Sequence, residues 1–131
     1  MEYKEAFVKL YKDARDKFDI QQAPKLLLRQ NEENAQKLFG RTAYYDPNES
    51  TIVVFITNRH PKDILRSYCH ELIHHVQNER GDLMKSNSLS PTYAQDDDHM
   101  REMEKEAYLK GNLLFRDWED WYKNYRQTNQ K

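Results

Sequence analysis

The sequence predicts an α+β domain in which a small, three-stranded sheet packs against helices. Apolar residues recur at helical spacing in segments 2–18, 61–80 and 98–125, which indicates three amphipathic helices. Residues 51–56 are instead a run of β-branched and aromatic side chains, which favours a strand. The chain has 131 residues and no Gly/Ser-rich or Pro-rich linker, so we expect a single domain over residues 1–131.

The first half of the chain is expected to supply one long helix and all of the strands. Segment 1–23 contains the N-terminal helix. Segment 24–57 is predicted to hold a strand at 25–29, a short helix at 31–39 and two strands at 41–46 and 51–57. The two later strands are separated by Asp-Pro-Asn-Glu, which has the chemistry of a hairpin turn.

The helix at 61–80 contains the pattern H-E-x-x-H. Pro61 suits the first position of this helix, and Gly81 is expected to end it. His70 and His74 are four residues apart and therefore share one face, so both imidazoles can bind a single metal ion. Glu71 is adjacent and can reach a water on that metal. The pattern predicts one bound Zn²⁺, with His70 and His74 as ligands and Glu71 as general base.

His75 follows the second histidine of the pattern and is turned about 100° away from it on the helix. We therefore expect His75 to be a surface or supporting residue rather than a metal ligand.

Residues 82–96 are polar and irregular and are predicted to form a loop. A C-terminal helix is predicted at 98–125, where Gly111-Asn112 could bend or interrupt it. Its apolar stripe is Met100, Met103, Ala107, Leu114, Trp118, Trp121 and Tyr125.

A third protein ligand is expected on the C-terminal helix, because catalytic zinc sites usually have three. Glu102 and Glu106 are four residues apart and share a face, whereas Glu104 is expected to point elsewhere. One carboxylate of the pair would bind the metal, and the other could orient a ligand histidine. His99, just before the helix, is a competing ligand. The residues alone leave Glu102, Glu106 and His99 open.

The order of these elements resembles that of compact gluzincin metallopeptidases, over roughly residues 24–115. In that family a second helix carries a glutamate ligand that is often followed by a small residue, and Glu106-Ala107 matches this pattern. The resemblance implies that His70, His74 and Glu106 bind zinc and that Glu71 is the base. It also implies that strand 51–57 is a sheet edge that holds an extended peptide. The family also has an aspartate four residues after this glutamate, but that position is Lys110 here. Glu102 and His99 therefore remain open as alternative ligands.

The charge and hydrophobicity of the chain disfavour some classes of function. Charged residues make up 33% of the chain but the net charge is −1, which is not typical of a nucleic-acid-binding protein. No apolar run has the length of a membrane span, and the N-terminus lacks the apolar stretch of a signal peptide, so we expect a cytoplasmic location.

We predict a zinc metallopeptidase that acts on a peptide or protein substrate. Candidates for stabilising its transition state are Tyr93, His99 and Tyr108.

Two other functions fit the same residues. The zinc could instead tie two helices together in a non-catalytic binding or assembly protein. Alternatively, the chain could be a zinc hydrolase of a non-peptide amide. The sequence does not indicate an oligomeric state or a cleavage specificity.

Overall fold

The computed structural model describes residues 3–31, 42–83 and 98–129. Three helices and three strands in these residues form an α+β fold, as predicted. In chain order the elements are helix α1 (Tyr3–Phe18), strands β1 (Lys25–Arg29), β2 (Ala43–Asp46) and β3 (Thr51–Phe55), and helices α2 (Pro61–Glu79) and α3 (Asp98–Asn129). The helix expected at 31–39 and most of the loop expected at 82–96 lie outside the described residues. Among the helices described, none combines the length and apolar character needed to cross a bilayer.

Strand β3 is the central strand of a mixed sheet. The strand order is β1-β3-β2, with β1 parallel and β2 antiparallel to β3. The prediction that strand 51–57 is a sheet edge is therefore wrong, because both sides of β3 are paired. Its residues Thr51 to Val54 are buried, as suits a β-branched run covered on both faces. Within the described residues, β2 is an edge strand, and it lies on the side of the sheet that faces the H-E-x-x-H helix.

The start of α2 is fixed to the sheet by Arg59. Its guanidinium donates hydrogen bonds to the backbone oxygens of Thr42 (3.0 Å) and Phe55 (2.7 Å) and to the hydroxyl of Ser67 (2.7 Å). Burial lowers the pKa of Arg59. Helix α2 begins at Pro61, where the His60 side chain caps the helix by accepting a hydrogen bond from the Lys62 backbone N–H. These bonds set α2 alongside β2, with the first turn of the helix at the Thr42 end of the strand.

The hydrophobic core lies between the three helices and one face of the sheet. Its fully buried side chains include Leu10 of α1, Ile52 of β3, Leu72 of α2 and Leu114 of α3. Each comes from the apolar stripe that its element shows in the sequence. Apolar side chains of α2 and α3 therefore pack against each other in this core.

Helix α3 runs without interruption through Gly111, so of the predicted bend or interruption at Gly111-Asn112 the interruption is wrong. The glycine has another role. A Cβ atom at this position would lie 3.0 Å from the Cα atom of His70 and 3.1 Å from its backbone nitrogen. Because real Cβ atoms rarely come so close to backbone, only glycine allows α3 to cross α2 at this distance. The closest crossing of the two helices is thus at the first histidine of the pattern.

Candidate metal centre

His70, Glu71 and His74 open onto a cleft between α2, α3 and β2. The cleft has a volume of about 630 Å³ and is also lined by residues 42–45 and by Glu104 and Tyr108. His74 and Glu71 are each 8% exposed, so their side chains meet the cleft from an otherwise buried position. The helical phase predicted from the sequence is therefore correct: the two histidines lie on one face of α2.

Glu104 of α3 lies directly opposite the two histidines. One carboxylate oxygen is 3.2 Å from His70 Nε2, and the other is 3.0 Å from His74 Nε2. The ligand atoms of the three residues all lie within 4.8 Å of one another, and in the described part of the chain they are the one such group that could hold a metal ion. Donors around a tetrahedral zinc ion are about 3.5 Å apart, so the three groups are close enough together to hold one ion.

The predicted third ligand, Glu106, is not placed with the histidines. Its carboxylate accepts hydrogen bonds from Arg80 Nη2 (2.6 Å), Lys110 Nζ (2.6 Å) and Gln77 Nε2 (2.8 Å). The hydrogen bonds from Arg80 are the main cause that lowers the pKa of Glu106 to about 2. Glu104, which was expected to point elsewhere, replaces it as the candidate ligand.

The other candidates named from the sequence are also away from the two histidines. Glu102 is exposed and forms an ion pair with Lys105 at 3.5 Å. His99 donates a hydrogen bond from Nε2 to the backbone oxygen of Asp82 at 2.7 Å. Tyr108 lines the cleft and is exposed, whereas Tyr93 lies outside the described residues. Of the three candidates for transition-state stabilisation, Tyr108 is the one whose position in the cleft is shown.

The charges at the centre suit metal binding. Hydrogen bonds from His70 and His74 hold the pKa of Glu104 far below its usual value, so this carboxylate is ionised. Burial lowers the pKa of His74, but hydrogen bonds to Glu104 and Gln77 outweigh burial and raise it. Nε2 of His74 faces the ionised Glu104 at 3.0 Å, at the position where a metal ion would bind.

Glu71 is a buried carboxyl group beside the two histidines. Burial is the largest effect on its carboxyl group and raises the pKa, although the neighbouring His74 and His70 oppose the rise. A carboxylate with a raised pKa accepts a proton more readily at neutral pH than an exposed one. Its place in the cleft, beside the two histidines, is the one that the pattern predicts.

His75 is a supporting residue, one of the two roles expected for it, but its burial and its partners were not predicted from the sequence. It is 2% exposed, and its Nε2 donates a hydrogen bond to the backbone oxygen of Gln22 at 2.7 Å. The other ring nitrogen then accepts from the Tyr45 hydroxyl at 2.7 Å, and this hydroxyl accepts from Asn78 at 3.0 Å. The network attaches β2 to α2 and so fixes one wall of the cleft. No local sequence signal identifies these partners, because they come from distant segments.

No protein-family model, no curated protein and no solved structure matches this chain.

Proposed function

We propose that this chain is a zinc-dependent hydrolase that cleaves peptide bonds in the cleft between β2, α2 and α3. The observation that supports the proposal is the convergence of His70, His74 and Glu104, with the buried Glu71 beside them. Two imidazoles and one carboxylate form a ligand set common in catalytic zinc sites, and it leaves a position for water.

The metal ligands and Glu71 have different chemical roles. His70, His74 and Glu104 would hold one Zn²⁺, which acidifies water and polarises a carbonyl group when bound. Glu71 accepts the proton of the attacking water and delivers it to the nitrogen of the leaving amine. Its raised pKa suits both transfers, because the group must take up a proton and then release it.

The side of β2 that no described strand pairs with supports a peptide as the substrate. Phe55 donates a backbone hydrogen bond to the oxygen of Thr42 at 3.0 Å, so these two residues form a hydrogen-bonded pair of the antiparallel ladder. Because such pairs alternate, the backbone N–H and C=O groups of Ala43 and Tyr45 point away from β3. An extended peptide can pair with these groups while it lies along the cleft. This assigns to β2 the role that was predicted for strand 51–57.

The Glu71→Gln variant tests the proposal. The substitution keeps the shape of the side chain but removes the base, so we expect zinc content and fold to be retained. Turnover of a peptide library by the zinc-loaded protein should fall about 10²- to 10⁴-fold. Glu102→Gln is the matched control, because Glu102 is exposed and pairs with Lys105. Unchanged turnover in the Glu71 variant, or none in the zinc-loaded wild type, would contradict the proposal.

A purely structural role for the metal is the second candidate, and removal of the metal distinguishes it. Helices α2 and α3 already share buried apolar side chains and a close backbone crossing at Gly111. We therefore expect the chain to remain folded after chelation, as judged by circular dichroism, and to lose only its activity. Cooperative unfolding on chelation would instead favour the zinc-stabilised binding protein. If synthetic peptides are not cleaved but other amides are, the substrate is a non-peptide amide.

A further inference from the structure

We propose that Gln77 is a positioning residue that sets which ring nitrogen of His74 is available to a metal ion, and that Glu106 holds Gln77 in place. The proposal rests on the assignment of His74 as a metal ligand. It does not depend on the reaction that follows.

Gln77 is fully buried, and each polar atom of its side chain has a partner. The amide nitrogen donates to the backbone oxygen of Met103 at 2.9 Å and to Glu106 Oε1 at 2.8 Å. The amide oxygen lies 2.8 Å from His74 Nδ1. One side chain thus connects the candidate ligand on α2 to two groups on α3.

The partners of Gln77 fix the direction of its amide. A backbone oxygen and a carboxylate can only accept hydrogen bonds, so the amide nitrogen must face α3 and the oxygen must face His74. Because an amide oxygen also only accepts, His74 Nδ1 must carry the hydrogen. When a metal ion displaces the other ring hydrogen, the lone pair that it meets is therefore on Nε2. Nε2 is the atom that lies 3.0 Å from Glu104.

Glu106 is itself held firmly. Arg80 contacts both of its carboxylate oxygens, at 2.6 and 3.3 Å, and Lys110 contacts one of them at 2.6 Å. Arg80 is in turn bound by Asp82 at 2.8 Å. Such bidentate, charge-assisted bonds have little rotational freedom. The chain of contacts from Arg80 through Glu106 and Gln77 therefore restricts the ring of His74, although neither Gln77 nor Glu106 touches the metal position.

The Gln77→Met variant removes the amide but keeps the length of the side chain. We expect zinc affinity, measured by competition with a chromophoric chelator, to weaken about 10- to 100-fold, as is usual when a partner of a ligand histidine is lost. Gln30→Met is the matched control, because Gln30 is exposed. In the zinc-loaded wild type, ¹⁵N NMR of the His74 ring should show hydrogen on Nδ1 and the metal on Nε2. The zinc-loaded variant should show a mixture of this arrangement and its reverse.

A double-mutant cycle separates positioning by Glu106 from direct binding. Glu106→Ala should weaken zinc binding in the wild-type background and have no further effect in the Gln77→Met background, because both act through the same contact. Equal losses in both backgrounds would show that Glu106 acts on the metal itself. Equal zinc affinities of wild type and Gln77→Met, including no binding by either, would overturn the proposal. If these changes in zinc affinity are observed but the protein cleaves no peptide, only the proposal of a hydrolase is contradicted.

Discussion

Gly111 lies inside α3 where this helix crosses α2, and replacing it with alanine is expected to destabilise the protein. In an exposed helix interior the same substitution stabilises by about 1 kcal/mol, because alanine has the higher helix propensity. The structure predicts the opposite sign. The added Cβ would lie 3.0 Å from His70 Cα, 3.1 Å from His70 N and 3.3 Å from Cys69 C.

The expected size follows from these three distances. Non-bonded carbon atoms prefer separations of about 3.5–4.0 Å, so the helices must move apart by roughly 0.5 Å at the crossing. All three neighbours are backbone atoms, which cannot rotate away as a side chain can. Overpacking of this kind costs about 1–3 kcal/mol, and the gain in helix propensity offsets about 1 kcal/mol. The net change is a loss of about 1 kcal/mol, or a decrease of about 3–5 °C in Tm for a domain of this size.

Thermal and urea unfolding of the metal-free protein measure the effect. Asn124→Ala is the matched control, since Asn124 is exposed on the same helix and its substitution should stabilise by a few tenths of a kcal/mol. Zinc binding by the Gly111→Ala variant should also weaken, because separation of the helices at His70 moves Glu104 away from the histidines. A Gly111→Ala protein that is about 1 kcal/mol more stable than wild type, with unchanged zinc affinity, would refute the close crossing.

Two further predictions concern the surroundings of the zinc centre. Although burial lowers the pKa of His74, its hydrogen bonds to Glu104 and Gln77 raise the pKa above its usual value, so protons compete with zinc for this ring. Zinc affinity should therefore fall as the pH is lowered from about 8 to 6, and a titration that shows constant affinity would contradict this. Tyr45→Phe should reduce the free energy of unfolding by about 1–3 kcal/mol, because buried His75 loses a hydrogen-bond partner. Equal urea midpoints for the variant and wild type would show that the hydroxyl contributes nothing.

Local signals in the sequence were sufficient to locate the main helices. Pro61 and Gly81 define the ends of α2, which was expected at 61–80 and is observed at Pro61–Glu79. The start of α3 also agrees, although that helix continues to Asn129 rather than 125. Capping and breaking residues act within a few positions along the chain, so they can be recognised without knowledge of the fold.

The position of a strand within the sheet was harder to predict. The apolar run at 51–56 has no polar alternation, which is typical of a strand buried on both faces, and β3 is indeed central. The expectation of an edge came from the family resemblance and not from this pattern. The burial of His75 could not be foreseen for another reason. Its partners, Gln22 and Tyr45, are brought to it only by the tertiary fold.

The choice between Glu104 and Glu106 depends on which face of α3 meets α2. Glu102 and Glu106 share a face, but this relation does not say where that face points. Residues that alternate three and four positions apart form the stripe that packs against a neighbouring helix. Here that stripe is Met100, Glu104, Ala107, Gly111, Leu114 and Trp118. Ala107, Leu114 and Trp118 are buried, and Gly111 contacts α2 directly.

Glu104 is thus the charged residue on an otherwise apolar stripe, and a carboxylate there requires polar partners on α2. The two histidines supply them at 3.2 and 3.0 Å. Glu106 is one position before Ala107 and is rotated by about 100° from the stripe, which takes it to the basic side chains of Arg80 and Lys110. The interruption of the stripe by a carboxylate was present in the sequence, and it indicates Glu104 more directly than the match between Glu106-Ala107 and the gluzincin pattern indicates Glu106.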